Sequence, residues 1–343
     1  MRIFSVFLSG FTLFALGSVW SRKSWAIWAV LTLVSFKLTL DLYAWAINLD
    51  RSLLIFASEA INLSVIGIAF RSKVSASSEI TGPQKIFYGF VLALAATIGI
   101  WGMFFPAHVF QVLPLMVPPL HSRFLGAMYL SGATFMGLNI LAKQWAEVRV
   151  VTPMIAIWTG TLGIISLFYL PAFDWGRVQV WVWFIAYISF PLIAAWIAWQ
   201  QRSQIDPAEG LPLSDRMRTY LHIQGGWVTL LALGLLLVPS WMAIVWPWKI
   251  TPMLAHIYSA PFLSYGLGSL YAGSQQSWQE VRIVIYATLV FTVGVLLASL
   301  YHIELFDFGT FSAWIWFGGF ASSSFALALF GTTPAFRMQH EYV

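Results

Sequence analysis

The chain has 343 residues, of which 59% are hydrophobic and 9% charged, with a mean hydropathy of +0.79. Soluble domains carry about a quarter charged residues, so the composition excludes a soluble domain and specifies an integral membrane protein. The formal net charge of +5 arises from basic residues that lie mostly in short loops between apolar runs, which points to membrane orientation and away from nucleic acid. Cysteine is absent, so disulfides, thiolate metal sites and cysteine nucleophiles are excluded.

Apolar runs lie near 4–20, 25–47, 52–70, 87–105, 119–142, 151–171, 180–199, 222–243, 252–273, 284–303 and 312–331. Many approach or exceed the length of a membrane-spanning helix, whereas barrel strands would be short alternating segments. The expected fold is therefore an all-α polytopic membrane protein with about eleven spans. The first run follows Arg2 and ends before Arg22 and Lys23, a basic pair that reads as a cytoplasmic stop, so an uncleaved anchor is expected. In the second run Lys37 and Asp41 are four apart on one helix face. In the third, Glu59 and Asn62 are three apart. Charges at this depth cost roughly 2.5–3.5 kcal/mol each, so Lys37, Asp41 and Glu59 are candidates for a buried lock between spans or for a solute path.

A Ser-rich linker, 71–86, leads into a block that returns 133 positions later. Without a gap from Pro106/Pro239 to Phe184/Phe317, roughly 21 of 79 aligned positions are identical. The expected organisation is 3 + 4 + 4. It comprises an N-terminal three-helix unit (1–70), four-helix repeat one (87–199), a cytoplasmic linker (200–221) and four-helix repeat two (222–331). An even number of spans per copy makes the repeats parallel, with a pseudo-twofold axis along the membrane normal. Counting basic residues in alternate loops gives twelve on one side and four on the other, which predicts the N-terminus outside and the C-terminus in the cytoplasm.

Four features occur in both copies. Trp145-x-Glu147-Val148-Arg149 matches Trp278-x-Glu280-Val281-Arg282, expected as an interfacial anchor whose Glu and Arg, two apart, face different partners. A Pro-punctuated segment (Pro106, Pro114, Pro119; Pro239, Pro247, Pro252) is expected at the outer interface. Asp174-x-Gly176 matches Asp307-x-Gly309, expected as a helix cap followed by a turn. Trp181 and Trp183 match Trp314 and Trp316, expected as an aromatic belt. Gly126, Gly132, Gly137, Gly160 and Gly163 are expected at close helix contacts.

Arg123 aligns with His256, each four residues after a proline and just inside the outer end of a span. A cation there must pair, face water or snorkel. Asp174 and Asp307 lie on the same side and are its candidate partners. Together Arg123, His256, Asp174 and Asp307 form a candidate outer site for an anionic headgroup or solute.

The run from Trp246 to His256, Trp-Pro-Trp-Lys-Ile-Thr-Pro-Met-Leu-Ala-His, resembles a Trp-Pro-Trp-x-x-Thr-Pro-Leu-x-Ala-Arg pattern. That pattern recurs in uncharacterised multi-spanning membrane proteins of actinobacteria and Chloroflexi-type bacteria. The resemblance extends through Trp278, Arg282 and Asp307, and His256 departs from its Arg while Arg123 keeps it. It implies a bacterial cytoplasmic (inner) membrane protein and carries no chemistry. No zincin, Walker, Gly-x-Ser-x-Gly or dinucleotide motif occurs, so no catalytic residue, cofactor or metal is assigned. Two functions fit: a permease or binding protein for a lipid-like or small anionic solute, or a non-catalytic accessory subunit of a larger membrane complex. The expected partners are the lipid bilayer and, under the second reading, other membrane subunits.

Overall fold

A computed structural model describes residues 24–47, 62–68, 70, 71 and 77–340, with side chains from residue 27 to residue 332. Its main elements are helices α1 Ser24–Ala46, α2 Gly82–Phe104, α3 Pro119–Leu141, α4 Trp145–Val148, α5 Val151–Phe168 and α6 Val178–Gln200. They continue with α7 Asp215–Leu237, α8 Pro239–Val245, α9 Pro252–Gly273, α10 Trp278–Tyr301 and α11 Phe311–His340. Eight helical stretches among the described residues are long and apolar enough to cross a membrane. The predicted run 252–273 coincides with α9, which is less apolar than those eight. Ser259, Ser264 and Ser269 dilute it, and all three are buried inside protein. The run 4–20 and most of 52–70, with Glu59, lie outside the described residues.

Helix starts are set by local chemistry. Thr81 opens α2 in a reciprocal cap with Gln84, whose side-chain oxygen accepts from the Thr81 amide at 2.9 Å. Thr251 Oγ1 accepts from the Leu254 amide at 3.2 Å and starts α9. Ser214 caps α7 and draws Asp215-Arg216-Met217-Arg218 into the helix. That turn belonged to the predicted linker, so α7 begins before the apolar run does. It also ends earlier, at Leu237, and Pro239 starts the separate short helix α8.

The chain divides into two compact units, residues 1–76 with 155–203, and residues 77–154 with 204–343. In the first, α1 packs on α6. Trp28 meets Trp196 with ring centroids 5.2 Å apart, and Tyr43 meets Trp181 at 4.7 Å. These two contacts make the pair antiparallel. Gly163 lets α5 approach α6 closely, because a Cβ there would sit 2.7 Å from the Tyr187 carbonyl oxygen.

In the second unit α2 packs on α3, α7 on α9, and α10 on both α3 and α11. The first two contacts are close for the same reason at different residues. A Cβ on Gly102 would meet the Ser122 carbonyl oxygen at 2.8 Å, and one on Gly225 the Leu270 amide at 2.7 Å. Gly137 stands in open space and is not a packing position. Hydroxyls bridge helices through backbone carbonyls: Ser131 Oγ donates to Ala287 O at 2.5 Å, and Ser264 Oγ to Met154 O at 2.8 Å.

Several contacts recur at an offset of 133. Glu79 bridges Gln144, and Pro212 bridges Ser277. Trp183 Nε1 donates to Ser166 Oγ, and Trp316 Nε1 to Ser299 Oγ, both at 2.9 Å. The Ser131 and Ser264 bonds are reciprocal in this sense, since each serine reaches the counterpart of the residue that the other contacts.

Candidate functional site

Arg123 lies in the second turn of α3, half-buried. Its Nη1 donates to His302 Nε2 at 2.7 Å, and its Cζ stands 4.2 Å from the centroid of the Tyr301 ring. Both partners sit where α10 ends. His302 is the residue following the last turn, and the short 3-10 helix Ile303–Leu305 brings Glu304 Oε1 to 3.6 Å from His302 Nδ1. A guanidinium only donates, so His302 Nε2 is the acceptor and the ring proton sits on Nδ1, facing Glu304. Burial and the neighbouring Arg123 charge lower the His302 pKa, with Glu304 opposing them. The imidazole is therefore neutral at physiological pH, and the site keeps the Arg123 charge with one of its five donors engaged.

His256 does a different job. Its ring Nε2 bonds the Leu236 carbonyl at 3.1 Å, one of the last carbonyls of α7, which have no partner within that helix. In the pair α2 and α3, Ser122 Oγ does this instead, donating to Gly102 O at 3.0 Å. Arg123 is thereby released from end-capping and reaches α10.

Asp174 and Asp307 bond backbone. Each Oδ1 accepts from the amide two residues on, Gly176 or Gly309, at 2.9 Å. These are Asx turns rather than helix caps, because α6 starts only at Val178 and α11 at Phe311. Lys37 is buried and bonds Asp41 Oδ2 at 2.5 Å, the expected i,i+4 pair.

The repeated Trp-x-Glu-Val-Arg motif forms a site of its own. Arg149 pairs with Glu280, and Arg282 with Glu147. The remaining oxygen of each carboxylate caps its own loop. Glu147 Oε1 accepts from the amides of Lys143 and Gln144, at 2.9 and 3.0 Å. Glu280 Oε2 accepts from those of Gln276 and Ser277, at 2.9 and 2.8 Å. Gln275 Oε1 accepts from Arg149 Nε at 3.0 Å. Trp145 and Trp278 are both buried. The motif is thus a crossed exchange in which both tryptophans, both carboxylates and Arg149 are buried, while Arg282 keeps a partly exposed side chain. Its Glu and Arg do take different partners, as their spacing requires.

The aromatic belt and the Pro-punctuated segments are likewise divided. Trp183 and Trp316 are buried struts, while Trp314 is exposed. Met116 and Ile244 are exposed, whereas Trp246 and Trp248 join Phe124, Tyr258 and Trp316 in a buried ring cluster. His121 Nδ1 lies 2.6 Å from the Tyr258 hydroxyl at its edge. No group of three His, Asp or Glu among the described residues could hold a metal ion.

Arg123 and the Asx-turn acids were visible in the sequence. Tyr301 and His302 as the partners of Arg123, in place of the expected Asp174 and Asp307, were not, nor was Glu304 as the neighbour of His302, because only folding brings the end of α10 to the start of α3. Comparison of the chain with protein-family models, curated proteins and solved structures finds no match.

Proposed function

We propose that this multi-pass membrane protein is a binding protein or permease that engages an anionic group, a lipid phosphate or a small anionic solute, at Arg123. One observation carries the reading. The guanidinium is held by a neutral imidazole and the face of a phenol ring, so its charge and most of its donors stay available to a carboxylate or phosphate. The contacts recurring at an offset of 133 support two parallel four-helix repeats, the loop charges support an outside N-terminus, and the resemblance carried by Trp246 to His256 implies a bacterial inner membrane. In that orientation Arg123 serves the outer leaflet.

The test is Arg123→Gln, purified in mild detergent, with bound lipids quantified by mass spectrometry and with titration of soluble anions. Loss of anionic-lipid retention alone identifies a headgroup site, and loss of solute affinity a solute site. Either loss should be about tenfold or more, the weight of a charge-assisted bond of ~1.5–3 kcal/mol. Unchanged retention and affinity sink the proposal. A second reading, an accessory subunit of a larger membrane complex, is favoured by α11, of whose apolar window only 17% is buried.

A further inference from the structure

Helices α6 and α11 are counterparts at the offset of 133, and one wears a helix that, among the described residues, the other does not. The first is covered by α1, with aromatic clasps at both ends: Tyr43 on Trp181 and Trp175, and Trp28 on Trp196. Between the clasps α1 presents the small side chains Ser35 and Thr39, both buried and bonded to their own helix backbone. Of the apolar window of α6, 50% is buried, against 17% for α11.

The orientation of α11 is fixed by its other faces. Phe320 packs on Phe291 and Trp316, Ser323 O accepts from the Tyr220 hydroxyl, and Phe330 meets Tyr220. Trp314 and Leu329, the counterparts of the α1-contacting Trp181 and Trp196, lie exposed. Between them Gly318, Ala321, Ser322 and Phe325 share that exposure, in the spacing of one helix face. Trp314 is held ready by an indole bond to Phe308 O at 3.0 Å, just as Trp181 is held by Trp175 O at 3.1 Å. The outer clasp is therefore built in both places. Small residues at the centre of a membrane helix face admit a second backbone closely, which acyl chains do not require.

We propose that this face of α11 docks one membrane-spanning helix of a partner protein, antiparallel, in the seat that α1 fills on α6. The occupant it fits is an uncharged apolar helix. Small or hydroxylated residues face Gly318 and Ser322, and an aromatic ring meets Trp314. The proposal rests on the accessory-subunit reading and is independent of Arg123.

The experiment places a photo-crosslinking residue at Trp314 or Phe325, and at Trp227 of α7 as a control, in the full chain in its native membrane. Adducts are mapped by mass spectrometry after mild-detergent purification. The expected result is an adduct, from the two α11 positions only, to one membrane-spanning segment of a protein that co-purifies in stoichiometric amount. Gly318→Leu should abolish that adduct without shifting the thermal midpoint, because a Cβ there meets nothing within 4 Å and the side chain leads away from the unit. Four results would overturn the proposal: adducts to lipid alone, to a second copy, to residues 4–20 of the same chain, or an adduct that survives Gly318→Leu. If a stoichiometric partner co-purifies but crosslinks only from Trp227, the docking face is wrong and the accessory-subunit reading stands. If no partner co-purifies, both fall.

Discussion

At the scale of single residues, burial decides what each charge contributes. The Glu280 side chain is 0% exposed and its partner Arg149 9%, whereas Arg282 is 41% exposed opposite Glu147. Removing one member of a buried pair strands the other in a low-dielectric setting and costs about 3–5 kcal/mol. Glu147 is itself buried, but it keeps the Lys143 and Gln144 amides and Arg282 is partly exposed, so that pair is worth less, on the order of 1 kcal/mol. Arg149→Met should therefore lower the thermal midpoint sharply, and Arg282→Met only slightly. Adding Glu280→Gln to Arg149→Met should recover part of the loss, since the amide oxygen can still accept from the Gln276 and Ser277 amides while the stranded charge is gone. Equal shifts for the two arginines, measured by intrinsic tryptophan fluorescence on heating, would remove burial as the explanation. Arg123 belongs to neither class, because its direct partners are neutral.

At the scale of helices, small residues and caps explain where elements meet and end. Gly126 faces the backbone of Gly102 and Met103 on α2, with no flexible side chain able to yield. Gly126→Leu should thus be strongly destabilising or fail to fold, while Gly137→Leu, in open space on the same helix, should purify with an unchanged midpoint. Equal yields from both would show that α3 does not depend on close approach to α2. Helix existence was legible from apolar run length, and Gly126 and Gly163 from helix composition. The start of α7 was not, because Asp215-Arg216-Met217-Arg218 reads as linker until Ser214 is recognised as its cap. The buried fates of Trp183, Trp246, Trp248 and Trp316 were equally illegible. A tryptophan near a span end suits the headgroup region and a protein core alike, and only the neighbouring helix decides between them.

At the scale of the whole chain, orientation can be read with single cysteines, since the natural sequence contains none. A cysteine at Asp307 should react with an impermeant maleimide in intact cells, and one at Glu209 only after the membrane is opened. The reverse pattern would invert the topology and move Arg123 to the cytoplasmic leaflet. The spacing within each Trp-x-Glu-Val-Arg motif showed that its Glu and Arg part company. It could not show that each motif completes the other, because adjacency of helices is not written in spacing. That crossing sets a clock on biogenesis. Arg149 leaves the ribosome 131 residues before the carboxylate of Glu280 that neutralises it. At synthesis rates of about 5–20 residues per second, the first motif spends on the order of ten seconds in the cell without its counter-charge. Over that interval Arg149 must be sheltered by water, lipid headgroups or the insertion machinery.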